Sequence, residues 1–437
     1  MSKKTRIPFR AYDYAEYLEK AGKHAADGPI LYQWTGTHWQ HIPHDQAERM
    51  AFSWLRMRDE DWASPENARR AVRAALLHLP QLPPAGLTSV IPTRNGYVHL
   101  RDTGGVDFGP PDPKLGLRYC LACDYLPDAS APALFMAFLE RILPDPLVRA
   151  RVQEYIGYTL LPDARYQRAQ IWLGEGANGK GVLSNIVQAL HGRPAAASLD
   201  NLSGFALSGL VDASLICVDE IPRKAIDEQR LKSMIAGERI QIDRKFLDPL
   251  HVPLRGKWLV LGNHLPAVTD HSPGFWRRWD VVPFSVTIPE AERNPLLAQT
   301  IIDNELSGVL NWALEGLRRL QARGCFDTQL PPLMEKALAD AKVETNSVAA
   351  WVRDRGIRAD NRHQTRKDKV FQAYREWCSA NAMREVSSVQ FWKRLKELLP
   401  HLHDYRARES RERVRFCNVC LDSVDESDST GELLGEA

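Results

Sequence analysis

The strand-like run Gln170–Leu173 passes directly into Gly174-Glu-Gly-Ala-Asn-Gly-Lys180 and then into an apolar-periodic segment carrying Val182, Leu183, Ile186, Val187 and Leu190. This order of strand, glycine-rich loop and helix, with G-x-x-x-x-G-K spacing, constrains the fold more than any other stretch. It commits its surroundings to an α/β sheet whose loop faces a ligand. Glycines let consecutive backbone N–H groups wrap an anion, the helix start adds the positive end of its dipole, and Lys180 supplies a point charge. Gly174, Glu175, Gly176, Ala177, Asn178, Gly179, Lys180 and Gly181 are therefore expected to cradle the phosphates of ATP. The same glycines spell G-x-G-x-x-G, but that reading needs an acid after the next strand for a ribose. Asp200 stands at a tolerable distance in a polar loop, and Lys180 would then have no role. The position after the lysine, which should offer a Ser or Thr hydroxyl to Mg²⁺, is Gly181. Ser184, one helical turn farther on the same face, is the candidate to reach the metal or hold a water that does.

Two more buried-type strands end in polar residues. Ser214–Val218 delivers Asp219 and Glu220 to a strand's carboxyl end, where open α/β sheets place ligands. Asp219 would hold hydrated Mg²⁺, and Glu220 would share the metal and orient or deprotonate the attacking water. Trp258–Leu261 leads to Asn263, an amide able to bond both a γ-phosphate and that water. Arg277 and Arg278 follow, bracketed by aromatics. One of them is expected to act as an arginine finger on the ATP of a neighbouring subunit, the other to be structural. Between the acid pair and the asparagine, alternation at Ile240, Ile242, Leu250, Val252 and Leu254 reads as a hairpin tipped by Arg244, Lys245 and Phe246. A cationic and aromatic tip suits single-stranded nucleic acid.

Together these residues resemble the superfamily 3 helicases, specifically the C-terminal helicase part of the bacteriophage, plasmid and poxvirus primase-helicase family. The resemblance runs from about Thr93 to Asp422 and includes Thr93–Gly96, Glu154–Tyr158, Gly174–Lys180, Val218–Glu220, Leu231–Gly237, Gly262–Pro266, Gly274–Arg278 and Glu305–Trp312. It implies an AAA+-like P-loop ATPase core and self-association into a ring, usually a hexamer, that moves on single-stranded DNA. Such rings open forks during replication of a phage, plasmid or integrated mobile element. It assigns Lys180 to phosphates, Asp219 and Glu220 to metal and water, Asn263 to the third motif, Lys245 to DNA, and Arg277 or Arg278 to the trans-acting finger. Gly181 departs from the pattern at the metal. Many relatives begin with a primase domain. Here about 160 residues precede the ATPase segment, and Asp59-Glu-Asp61 lacks the later Ser-x-His of such a polymerase site. The chain is therefore expected not to prime, and a separate primase or replication initiator is an expected partner.

The remainder is organised around this core. Of 437 residues, 44% are hydrophobic and 26% charged, which excludes global disorder. No apolar run approaches a membrane span and no leader-like apolar core follows the first lysines, so the reading is a cytosolic protein without membrane contact. Domains are expected at 1–163 (mixed, ending in a helical collar), 164–345 (ATPase) and 346–421 (winged helix), before a disordered acidic tail at 422–437. The tail holds six acids and no base, whereas 351–416 hold 17 Lys/Arg against 9 Asp/Glu, a balance that suits a polyanion. In the last domain, Lys393 and Arg394 of a recognition helix and Arg408, Arg411 and Arg413 of the wing are expected to meet DNA, although winged helices also dock proteins. Strands are expected over 87–127, including Leu117–Leu126. Both C-x-x-C pairs, Cys120/Cys123 and Cys417/Cys420, fall in strand-like runs where positions i and i+3 face opposite ways, so buried thiols are expected. His38, His41 and His44 read as surface groups. The rival to an ATP-dependent helicase is a nucleotide-gated origin-binding or regulatory protein with weak ATPase activity, suggested by Gly181 and the winged helix.

Overall fold

The computed structural model describes residues 8–421 apart from 85, 102–104, 223–225, 245–246, 267, 269–272, 382, 384 and 410–411. The chain divides into two compact units, residues 1–264 with 272–337, and residues 265–271 with 338–437.

The first unit opens with α1 (Ala11–Lys20), the antiparallel strands β1 (His24–Asp27), β2 (Ile30–Trp34) and β3 (Trp39–Ile42), then α2 (His44–Arg58) and α3 (Pro65–His78). Pro65 at the first helical position and the Ser64 side chain accepting from Asn67 N at 3.1 Å set the start of α3. Ala15, Ala51, Ala71 and Ala75 let the three helices close around Tyr14, Leu18, Leu55 and Val72. A meander follows, β4 (Val90–Thr93), β5 (Gly96–Leu100) and β6 (Val106–Gly109). The helices α4 (Ala133–Ile142) and α5 (Pro146–Thr159) come next, with Asp145 capping α5 through Leu147 N at 2.7 Å.

The expected strand over Leu117–Leu126 does not form. Its backbone groups make scattered single bonds to three segments: Trp39 N donates to Leu117 O, Leu121 N to Pro92 O and Arg94 N to Cys123 O, and Ala122 N to Leu190 O and Gly192 N to Cys120 O. Alternating burial in this run comes from threading between neighbours, not from a ladder.

The centre of the unit is a parallel sheet made of β7 (Ala169–Leu173), β8 (Pro194–Ala196), β9 (Leu215–Val218), β12 (Lys257–Gly262) and β13 (Trp279–Pro283). Its order is β13-β7-β12-β9-β8. β9 and β12 are buried throughout, which explains the apolar runs Leu215–Val218 and Trp258–Leu261. Connecting the strands of this sheet are α6 (Lys180–Leu190) after β7, α7 (Glu228–Ile235) and the antiparallel hairpin β10 (Arg239–Arg244) with β11 (Leu247–Pro253) after β9, and the short α8 (Pro273–Trp276) after β12. The long helix α9 (Leu297–Arg323) ends where Gly324 takes φ +77° and returns its N–H to Leu320 O and Gln321 O. It lies very close to α5, because a Cβ at Gly157 would strike the backbone of Ala313 and Leu317, and one at Gly316 the backbone of Gln153. Glu154 is buried and takes hydrogen bonds from Arg319 and Arg323. The run Glu154–Tyr158 is thus a helix-packing device.

α10 (Pro332–Glu344) leads into the second unit. There α11 (Ser347–Asp354), β14 (Arg358–Ala359), β15 (Thr365–Arg366), α12 (Lys367–Ala380), α13 (Ser388–Leu398), β16 (Asp404–Glu409), β17 (Glu412–Cys417) and β18 (Val419–Cys420) follow in order. Three helices enclose Trp351, Val370, Tyr374, Phe391 and Leu395, and the antiparallel sheet β15-β17-β16 adds Cys417 from one side. Cys120, Cys123, Cys417 and Cys420 are all buried thiols outside any disulfide, and burial pushes Cys123 up to about 12. The acidic stretch 422–437 lies outside the described residues. Among the described residues no helix is long and apolar enough to cross a membrane.

Candidate active site

All five strands of the sheet run the same way, so their carboxyl ends meet at one edge. The interposed strand β12 separates β7 from β9, and its end, Gly262 and Asn263, lies between the glycine-rich loop and the acid pair. A Cβ at Gly262 would overlap Ile221, so only glycine lets the segment after Asp219 and Glu220 come this near. Together these ends line a cleft of about 940 Å³ that contains Gly176 to Val182, Asp219, Glu220 and Asn263. That volume is sufficient for a nucleotide.

The loop is held before any ligand arrives. Asn178 is buried and donates to Glu175 O at 2.5 Å and Phe284 O at 3.2 Å, tying the loop to the end of β13. Ile288 N donates to Ala177 O at 2.8 Å. Gly179 takes φ +83° against Ile142 and Phe138, a conformation and a fit that exclude a side chain. Lys180 is 7% exposed, and its Nζ donates to Gly174 O at 2.5 Å, Glu175 O at 3.0 Å and Asn263 Oδ1 at 3.4 Å. Burial pulls its pKa down. All three acceptors are neutral, so the ammonium has no carboxylate partner there and an anion in the cleft would supply its counter-charge. Asp219 and Glu220 are exposed on the opposite wall. Mg²⁺ typically takes one or two carboxylates with waters and phosphate oxygens, and this pair suits that donor set.

Gly174 and Glu175 contribute carbonyls to Lys180, while Gly181 is exposed with open space beyond its Cα. Ser184 departs from expectation. It is 1% exposed, is absent from the cleft wall, and accepts from Gln188 Nε2 at 3.0 Å. Its helical face turns under the loop, into the core with Leu183 and Val187. Three polar residues that the sequence reading did not assign, Ser198, Asp200 and His264, also line the cleft. Asp200 comes from the loop after β8, and its place in a polar loop, not its distance from the motif, had counted against it as a ribose ligand.

Arg277 and Arg278 are not on the cleft. They immediately precede β13, whose first residue Trp279 pairs with Ala169 at the amino end of β7. The five-residue strands place them roughly 15 Å from the loop end, at about 3.3 Å per residue. Arg277 is exposed, its carbonyl taking a bond from Arg168. Arg278 is half-buried, donates to Gly274 O, and has its pKa lowered by burial and by Arg277. Neither arginine reaches the nucleotide cleft of its own chain.

In the hairpin, Arg244 pairs opposite Leu247 after an irregularity and donates Nε to Asp248 O at 3.0 Å. Lys245 and Phe246 lie outside the described residues. Phe205, 59% exposed on a turn that packs beside β10, is a further aromatic that sequence reading missed. In the second unit Lys393 and Arg413 are exposed, Arg408 pairs with Arg413 across the β16–β17 hairpin, and Arg411 lies outside the described residues. Arg394 is 8% exposed, which removes it from direct phosphate contact. It sits three residues after Phe391 and next to Leu395, on the face of α13 that packs inward.

The fold therefore defines a mixed α/β protein built on a parallel sheet with a polar cleft at its carboxyl edge, and its relatives in sequence are helicase-like. A family model described as a family of unknown function (DUF5906) matches residues 172–278, which span all the strand-end residues above. The protein named "Putative helicase L207/L206" of Acanthamoeba polyphaga mimivirus is 25% identical over 276 residues, covering 56% of this chain and 28% of that protein. "Putative helicase 121R" of Invertebrate iridescent virus 3 is 22% identical over 300 residues, covering 60% of this chain and 32% of that protein. The chain thus matches about a third or less of the length of these viral relatives. A solved structure of the NrS-1 C-terminal region shares the fold, with TM-score 0.52 and 12% identity over 93% of this chain and 99% of that one.

Proposed function

We propose that this chain is an ATP-dependent DNA helicase of the superfamily 3, AAA+-like type, acting as a ring in the replication of a phage, plasmid or other mobile element. The observation that carries this reading is the strand order. With β12 interposed, Asn263 stands between Lys180 and the Asp219–Glu220 pair, so one cleft offers an anion clamp, a polar sensor and two carboxylates.

In this reading Lys180 exchanges its carbonyl partners for β- and γ-phosphate oxygens. Asn263 loses its hold on Lys180 and is freed to bond the γ-phosphate and the attacking water. Glu220 accepts that water's proton, and Asp219 with Glu220 holds Mg²⁺. The metal supplies charge neutralisation across the phosphates when bound. Arg277, exposed at the opposite sheet edge, completes the cleft of a neighbouring chain, while Arg278, bonded to Gly274 O, is structural. Ser184 is buried beneath the loop and is not a metal ligand in this scheme. The hairpin with Arg244, Lys245 and Phe246, and the exposed ring of Phe205, contact single-stranded DNA through phosphate charge and base stacking. The helix and β-hairpin order of the second unit supports a winged helix, with Lys393 and Arg413 available to DNA.

The test is ATP hydrolysis and strand displacement on forked DNA by wild type, Lys180→Ala and Glu220→Gln. Wild type should hydrolyse ATP and unwind, and both variants should lose turnover while melting normally. Undiminished turnover in both would remove the reading. Gly181 supports a second reading, a nucleotide-gated DNA-binding regulator with weak ATPase activity, which predicts binding to DNA without displacement.

A further inference from the structure

A second depression, of about 400 Å³, lies in the first unit apart from the nucleotide cleft. Arg94 from the β4–β5 turn, Arg118 from the irregular segment before α4, and Arg193 from the loop after α6 line it, with Thr37, His38 and Gln40 from the β2–β3 hairpin. No carboxylate is on its wall. Two of the three arginines have counter-charges behind them. Arg118 Nη2 is 2.7 Å from Asp27 and its Nη1 3.7 Å from Asp212, and Arg94 Nε is 3.2 Å from Asp124. Arg193 has none: among the described residues its half-buried side chain makes no hydrogen bond or ion pair. Arg118 Nε is buried and also lacks an acceptor.

The histidine was expected at the surface and is instead part of this wall. His38 Nδ1 lies 3.0 Å from Thr37 Oγ1 and 3.1 Å from Thr35 Oγ1. Burial and the charge of Arg193 push His38 down to about 4, so the ring is neutral at neutral pH. Nδ1 is thus engaged by the threonine hydroxyls, and Nε2 is the ring nitrogen left for an incoming group. The charged and polar part of the wall thus consists of three cations and neutral groups, among them the Gln40 amide, a donor. The neighbouring His41 is depressed by burial and, against the opposing charge of Asp212, by Arg193, Arg244 and Arg118, so the hairpin arginine lies within electrostatic reach of this histidine.

We propose that this arginine-lined depression binds phosphate groups of the sugar–phosphate backbone of the DNA strand engaged by the β10–β11 hairpin. The inference rests on the DNA-binding reading above and adds a contact on the N-terminal part of the unit. A phosphodiester carries a single charge and needs cations and neutral donors, which the wall offers. A nucleoside triphosphate would arrive with Mg²⁺ and meet no carboxylate and no glycine-rich loop. Free triphosphate remains the competing source of the same chemistry, and the test separates the two.

The full chain is titrated with a fluorescent single-stranded oligonucleotide over a range of salt, as wild type, Arg193→Gln, Arg94→Gln/Arg193→Gln and Arg193→Lys. ATP affinity and melting are followed in parallel. Arg193→Gln should weaken DNA binding several-fold and reduce the slope of log K against log salt by about 0.7 per lost contact, with ATP affinity and melting unchanged. Arg193→Lys should restore most of the slope. Wild-type DNA affinity and slope in the double variant would overturn this inference alone, whereas a wild-type chain that binds no DNA would overturn the helicase reading with it. ATP binding that persists in Lys180→Ala and disappears on adding Arg193→Gln would make the depression a nucleotide site and also overturn the inference.

Discussion

Arg151 on α5 closes a fork on Asp280 of β13, with Nε 2.7 Å from Oδ2 and Nη2 3.0 Å from Oδ1, both side chains being buried. Arg168 adds a third cationic contact at 3.5 Å. The pair lies two residues after Arg278, so it fixes the strand start from which both finger candidates project. Asp280→Ala leaves two cations without their carboxylate and should destabilise the fold by about 3–5 kcal/mol in urea unfolding. Arg151→Met/Asp280→Leu, which removes the forked pair together and leaves only the more exposed Arg168 without its carboxylate, should recover part of that loss.

A cleft at one sheet edge and an exposed Arg277 at the other make complementation the sharpest test of shared sites. Lys180→Ala and Arg277→Ala should each be inactive alone. Mixed in equal amounts and allowed to reassort, they should regain about a quarter of wild-type ATPase activity, since one junction in four pairs an intact cleft with an intact finger in a head-to-tail contact. An inactive mixture would count against a shared site.

Gly181 is where a hydroxyl would face the metal, and nothing lies within 4 Å of a Cβ built there. Gly181→Ser should therefore fold normally and lower the Mg²⁺ concentration for half-maximal ATP hydrolysis. The gain should be on the order of 1 kcal/mol, as for one added polar contact. Gly181→Ala serves as the control and should leave that concentration unchanged.

Lys257 begins β12 fully enclosed, its Nζ bonded to Leu161 O and resting 5.1 Å from the Tyr158 ring. Burial pulls it from the usual 10.5 to about 7. Between those values the unfolded chain holds a proton that the folded chain has released, so stability should rise with pH across that window. Below it both states are protonated and the effect is constant. Urea midpoints measured at successive pH values should show the rise in wild type and a flatter profile in Lys257→Met.

Much of the first unit is readable from its sequence because period and punctuation agree there. The apolar runs before Gly174, Asp219 and Asn263 become buried parallel strands, and Gly324 closes α9 where the stripe from Leu306 to Leu320 ends. What escaped depended on contacts remote in sequence. Leu117–Leu126 alternates like a strand but finds no continuous partner, and Glu154–Tyr158 acquires its meaning only against α9. Ser184 shows the limit of helical arithmetic, since the position one turn after Gly181 is occupied by core packing. Arg394 was legible in principle, as its spacing from Phe391 and Leu395 already placed it on the apolar face. The depression around Arg193 was not, because it joins four separate stretches that only the fold assembles.

The opposite placement of cleft and Arg277 carries a further consequence for the proposed assembly. Copies stacked front to back would complete a reaction centre at every internal junction and leave one idle half at each free end. An arc therefore always contains one fuel site without its partner, whereas closing the circle removes the defect, so completeness itself becomes the switch to full output.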